Sequence, residues 1–241
     1  MFVAIALFGM AAMQFIDCVS YMLRLSGKRI GLISLGYSAQ VFFNNASRLV
    51  VMVTFPIIGI LVDDGASEDI LMAGWLSCLL TVALLICILL FDERIQRIGI
   101  WMIRRLFAKQ IGKDAQTLKD SGAEVETEIS EMVRKRSRKT FLIAFFVYVL
   151  YSLNLFSIPF VASFFPENRV FIVQLSPALN AAGTFLLAYF IDPTFSVAVD
   201  KNEAPLHTLK SIISARIFAN ALCAATFFIL LYLDPLDLLL A

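Results

Sequence analysis

Tyr37, Gln40 and Asn44, then Ser47 and Arg48 each counted from Asn44, are set at steps of three and four residues. In a helix that spacing places them in one stripe on one face. They lie within Ser34 to Asp64, SLGYSAQVFFNNASRLVVMVTFPIIGILVDD, a stretch apolar enough to cross a membrane. A guanidinium at mid-membrane costs about 3 kcal/mol on insertion scales, and a chain tolerates it where the group is paired or faces a wet cavity. Arg48 is therefore either a structural charge held by a buried acid or a group that meets a ligand anion. Further along the same stretch stand Pro56, Gly59, Asp63 and Asp64.

Other polar residues interrupt apolar sequence in the same way. Asp17 is followed by Tyr21 and Arg24, and Arg216 by Asn220, at helical spacing. Gln174, Ser176, Pro177, Asn180, Gly183 and Thr184 precede a terminal Ile-Asp-Pro at Asp192 and Pro193. The four cysteines, Cys18, Cys78, Cys87 and Cys223, all fall in apolar segments without a CxxC pair. They read as reduced, buried thiols. The single histidine, His207, belongs to no HxD or HExxH pattern, so neither a metal site nor an enzyme is expected, and no cofactor.

The elements that hold these residues are transmembrane helices. Of the 241 residues 60% are hydrophobic and 16% charged, against about a quarter charged in a soluble domain. No polar stretch is long enough for a separate core, and one all-α membrane domain over 1–241 is expected. Its six spans read as about 2–23, 30–62, 70–91, 140–160, 170–191 and 211–233. The first has no basic leader region and no clear cleavage motif, so it reads as a span and not a signal peptide. As one helix the second would be roughly 50 Å long against a core of about 30 Å, so it must tilt, protrude or break, with Pro56 and Gly59 as kink points. A break is also expected at Pro159.

The long polar region is 92–139. Within it, Ile100, Ile103, Leu106, Phe107 and Ile111 share one side of a helix and Arg97, Arg104, Arg105 and Lys109 lie largely on the other. That is the pattern of a basic helix on an anionic membrane surface. The run Arg134 to Lys139 reads as a stop signal at the membrane edge, and no nucleic-acid partner is expected. With the N-terminus outside, seventeen of the twenty Lys/Arg fall in cytoplasmic loops and only Arg169 in an outer one. The positive-inside rule therefore puts both termini outside. Asp17 then lies about two turns from the cytoplasmic end of its helix and Arg216 one to two turns, close enough in depth to pair. Arg48 lies deeper, with no acid expected at its depth.

Six spans divide as three plus three around the basic loop, and both middle members carry the polar residues, prolines and glycines. Two inverted three-helix halves with a site between them would be a transporter pattern. Asp63 and Asp192 are expected at helix C-termini, where the dipole disfavours them. Each then needs a specific partner or caps a turn.

FIDCVSYMLRLSGKR (Phe15 to Arg29), NNASRLVVMVTFPIIGILVDD (Asn44 to Asp64) and PALNAAGTFLLAYFIDP (Pro177 to Pro193) together resemble the Amj-type lipid II flippases of bacteria, which can replace the larger MurJ flippase. The matching positions are Asp17, Tyr21, Arg24, Gly27, Arg29, Ser47, Arg48, Pro56, Gly59, Asp63, Asn180, Gly183, Thr184, Asp192 and Pro193; Cys18 and Ile30 depart from the pattern. The resemblance implies a bacterial cytoplasmic-membrane protein that moves lipid II, an undecaprenyl-pyrophosphate-linked disaccharide-pentapeptide, between leaflets by alternating access. It implies that Arg48, Arg216 and Arg24 grip the pyrophosphate and that Gln40, Asn44, Asn45 and Asn180 hydrogen-bond sugar and peptide. Asp17 would hold an arginine when substrate is absent, and Pro56, Gly59, Pro177 and Gly183 would allow bending. The head group is large for six helices, so a homodimer in the bilayer is one expectation. A small-solute or ion transporter and a non-transporting scaffold subunit are the alternatives, and inter-helix contact is the bland role for the amides.

Overall fold

The computed structural model describes residues 1–108 and 131–233, apart from the side chains of 131 and 132. Its helices are α1 (Phe2–Arg29), α2 (Ile33–Asp63), α3 (Ser67–Leu90), α4 (Asp92–Leu106), α5 (Glu131–Ser163), α6 (Arg169–Leu186), α7 (Asp192–Asp200) and α8 (Pro205–Tyr232). A 3-10 turn (Pro166–Asn168) opens α6, and one wide π turn (Leu187–Ile191) joins α6 to α7. No strand occurs among the described residues. Six helical spans are long and apolar enough to cross a membrane, and the fifth is the composite Pro166–Asp200. The protein is thus an all-α integral membrane protein.

The helices run further than hydropathy alone indicates. α1 continues through Arg24 to Arg29, α5 contains the whole basic run Arg134 to Lys139, and α8 starts at Pro205, where a proline costs no hydrogen bond. Near the hydrocarbon, backbone groups must be satisfied internally, so helices extend past their apolar residues into their polar ends. The break expected at Pro159 does not occur, since α5 is continuous through it, and α2 is continuous through Pro56, which leaves tilting or protruding of the three outcomes expected for it. At about 46 Å, α2 exceeds the hydrocarbon thickness as one unbroken helix and must tilt or protrude. The fifth span does not end at Ile191. A proline at 193 would clash with the carbonyl four residues back, and the π turn lies at that place, so the helix carries on to Asp200. Asp192 is consequently not at a helix C-terminus, whereas Asp63 is.

In each three-helix half the first helix packs on the other two, which barely touch each other, and the two third helices, α3 and α8, pack together. The core has three layers. Met10, Ile58, Leu71, Phe156 and Phe227 belong to one apolar cluster. Tyr21, Met22, Tyr148, Phe195 and Ile212 belong to another. Between them, on α1 and α8, lies a polar layer of Gln14, Asp17, Arg216 and Asn220.

α4 differs from its expected placement. Ile100 and Ile103 are buried against Leu23, Ile30 and Ala39, while Ile98, Trp101 and Leu106 stay exposed. Gly99 permits this: a Cβ there would stand 2.4 Å from Ser26 Oγ. Ser26 donates to the Gln96 carbonyl at 3.0 Å, and Arg29 donates to Gln96 Oε1 at 2.8 Å. Part of the stripe read as membrane-facing is therefore protein-facing; Lys109, Ile111 and residues 112–130 lie outside the described residues. The ends of the bundle are tied by Arg169 to Asp63 at 3.1 Å, Lys210 to Asp92 at 2.7 Å, Lys28 to Asn202 at 2.7 Å, and Arg136 to Glu203.

The α1–α2 hairpin closes on two glycines. A Cβ on Gly27 would stand 2.5 Å from the Gly36 Cα, whereas one on Gly59 would meet open space. Gly27→Ala is expected to destabilise the bundle by about 1–3 kcal/mol through overpacking. Gly59→Ala should leave the thermal unfolding midpoint in detergent close to wild type.

Candidate functional site

A cavity of about 210 Å³ opens at the junction of the two halves, beside the polar layer. α1 contributes Asp17 and Tyr21, and α2 contributes Asn44, Ser47 and Arg48. Tyr148 and Tyr151 enter from α5 and Arg216 from α8. The fifth span supplies Thr184, Leu187, Ala188 and Asp192, so the π turn itself forms part of the wall.

Arg216 is held on three sides. It donates to Asp17 Oδ2 at 3.3 Å and to Gln14 Oε1 at 3.4 Å, and its guanidinium lies 4.6 Å from the centre of the Tyr148 ring. Asn220 exchanges hydrogen bonds with Gln14, at 3.0 and 3.2 Å. The second oxygen of Asp17 accepts from the Ser47 hydroxyl. Asn44 Oδ1 accepts from Ser20 at 2.6 Å. Asp17 thus spends both oxygens on its neighbours. Arg48, next in the chain after Ser47, has no hydrogen bond or ion pair among the described residues, and its side chain is exposed along the cavity wall.

An acid does share the depth of Arg48, contrary to expectation. Because α1 runs to Arg29 and α8 starts at Pro205, Asp17 lies about 18 Å and Arg216 about 17 Å from their neighbouring ends. Ser47 lies about 21 Å from the start of α2, so all three meet in one layer. That acid is already committed to Arg216.

A second group lies along α1 one turn beyond. Tyr21 Oη donates to Asp192 Oδ1 at 2.6 Å. Arg24 is buried with its guanidinium 5.1 Å from the Tyr37 ring centre and 5.8 Å from that of Phe195. It makes no hydrogen bond among the described residues, and its Nε is buried without a partner.

The remaining predicted residues are dispersed. Gln40 is buried outside the cavity, with Oε1 unpartnered, and Asn45 is exposed off the cavity wall. Asn180 accepts from Asn154 at 3.0 Å and ties α5 to α6. Pro56 and Pro177 are exposed on their helices. Gly183 sits against Tyr151, 3.3 Å from where its Cβ would be. Asp63 has Arg169 as its partner. The sequence reading missed Gln14 altogether and gave Tyr148 and Tyr151 no role. Gln14, Asp17, Tyr21 and Arg24 share the three- and four-residue spacing that singled out the α2 stripe, and that repeat is the signal that finds Gln14. No cluster of three or more His, Cys, Asp or Glu that could hold a metal occurs among the described residues.

Removing one partner of a buried ion pair strands the other charge, whereas removing both does not. Asp17→Asn is expected to destabilise the protein by about 3–5 kcal/mol. The double variant Asp17→Asn, Arg216→Gln should recover part of that loss, as read by thermal unfolding in detergent.

The sequence model of the family described as Amj, Alternate to MurJ, matches residues 10–230. A curated relative, Lipid II flippase Amj of Bacillus subtilis (strain 168), is 28% identical over 204 residues, 77% of this chain and 75% of that protein. No solved structure matches. The matched range contains every residue that lines the cavity, and the chain belongs to the Amj family.

Proposed function

We propose that this protein is a flippase of the bacterial cytoplasmic membrane that carries lipid II from the inner to the outer leaflet, with both termini outside. The substrate is that named for the Bacillus subtilis relative. The observation that carries the reading is Arg48. At membrane depth an arginine without a partner is costly, and the nearest acid is taken up by Arg216 and Ser47. A ligand anion offsets that cost, and a guanidinium grips a pyrophosphate through forked, charge-assisted hydrogen bonds.

The size of the cavity defines what is held. At about 210 Å³ it falls below the roughly 300–1,000 Å³ of ordinary small-molecule sites. It admits a pyrophosphate but not a disaccharide-pentapeptide. The pyrophosphate is the part gripped, by Arg48 with Arg216 behind it, and Asn44 on the same wall is the residue assigned to the first sugar. The remaining sugar and peptide stay in the opening, and the polyprenyl tail stays in lipid. Alternation falls to the fifth span, the least buried of the six, which carries Pro177, the π turn and Pro193.

The same volume favours one second reading, a transporter of a small inorganic anion. An assay of lipid II exposed on the outer face of cells lacking other flippases separates the two. Wild type should restore exposure. Arg48→Ala should lower the rate about tenfold or more, from the roughly 1.5–3 kcal/mol of a hydrogen bond to a charged group, and Arg48→Lys should fall between. Equal export by wild type and Arg48→Ala would refute the site. No restoration by wild type would favour the small anion.

A further inference from the structure

We infer that entry of the pyrophosphate into this cavity is linked to uptake of one proton, and that Asp192 is the group that takes it. The inference rests on the flippase reading and adds a coupled ligand to the same site. It follows from a count of charges. The cavity wall carries Arg48 and Arg216 against Asp17 and Asp192, a neutral set when empty. A pyrophosphate diester brings about two negative charges into a region where uncompensated charge is disfavoured. Arg24, buried one turn below on α1 and without a hydrogen bond among the described residues, offsets one of them. One negative charge remains.

The geometry selects the group. Protonating Asp17 would neutralise the carboxylate that faces buried Arg216 and strand that cation. Asp192 has no ion pair among the described residues. Its Oδ1 accepts from Tyr21 at 2.6 Å, and no hydrogen bond among the described residues occupies Oδ2. The other titratable groups facing it do not compete. Tyr148 and Tyr151 of α5 and Tyr21 of α1 are phenols already protonated near neutral pH. Arg24 of α1, Arg48 of α2 and Arg216 of α8 carry guanidinium groups, which have no acceptor site for a further proton. The step adds one proton from water to Asp192 Oδ2 and breaks no bond in the substrate; the proton leaves when the pyrophosphate does.

Calorimetric titration of the detergent-solubilised protein with lipid II, a pyrophosphate diester whose own two charges do not titrate near neutral pH, in buffers of differing ionisation enthalpy, tests this. Wild type should take up about one proton per molecule bound, and over the pH range in which uptake occurs its affinity should fall about tenfold per pH unit. Asp192→Asn, isosteric and permanently neutral, should take up none and bind with an affinity independent of pH. Tyr21→Phe, which strips the hydroxyl from Oδ1, should change the pH at which uptake occurs. Binding by wild type without proton uptake, uptake undiminished in Asp192→Asn, or a Tyr21→Phe profile identical to wild type overturns the inference and leaves the flippase reading standing. Failure of wild type to bind overturns both.

Discussion

The ion pair between Asp17 and Arg216 is the interaction on which the arrangement depends. It lies between two apolar layers, where each partner alone would be an uncompensated charge. Its geometry therefore fixes three helices at once. Asp17 holds α1 to α8 through Arg216 and α1 to α2 through Ser47. Gln14 and Asn220 close the same layer by exchanging hydrogen bonds, and Tyr148 brings in α5 through its ring. Hydrophobic matching between helices is not directional, and within a bilayer it does little to select one register. A polar layer with specific donors and acceptors does select one.

That commitment is also what leaves Arg48 available. Two arginines and two aspartates line the cavity, and equal numbers would allow two pairs. Asp17 faces Arg216, and Asp192 takes a tyrosine hydroxyl instead of a cation. The arginine after Ser47 thus stands at the wall without a protein counter-charge among the described residues. A cavity wall with equal numbers of the two charges stays compatible with the membrane when empty. An arrangement with both arginines unpaired would bind an anion more strongly, but would be far harder to maintain without one.

Six spans were legible because continuous apolar sequence is a direct signature of the bilayer. Their ends were not. Hydropathy marks where apolar residues stop, whereas the helix stops where its backbone can be satisfied otherwise, and α1, α5 and α8 all continue into charged sequence. That difference of one or two turns moved Asp17 to the depth of Arg48. The pairing of Asp17 with Arg216 was legible from charge and depth. The stripe on α2 was legible in part. Asn44, Ser47 and Arg48 line the cavity, but Gln40 is buried outside it and Tyr37 lies off its wall, because a helix 31 residues long passes more than one neighbour. Which of Tyr148, Tyr151 and Asn154 faces the cavity depends on how α5 meets α1 and α8, and one chain's spacing holds no such information.

Prolines made the least reliable signal, and the reason bears on movement. Pro159 was expected to break its helix and Pro56 to be a kink point, and both sit in continuous helices. A proline in a span removes one hydrogen bond, and neighbouring packing and small backbone adjustments absorb the loss. Pro193 differs because it coincides with a π turn, whose backbone pairing is already altered, in the least buried of the six spans. The turn carries Leu187 and Ala188 on the cavity wall and delivers Asp192 to Tyr21. The ion pair fixes α1, α2 and α8, and near the cavity the fifth span meets α1 through the Tyr21–Asp192 hydrogen bond and through Phe195, whose buried ring packs edge-on against Tyr21. A change in the turn's winding would therefore carry Asp192 and Phe195 together relative to Tyr21.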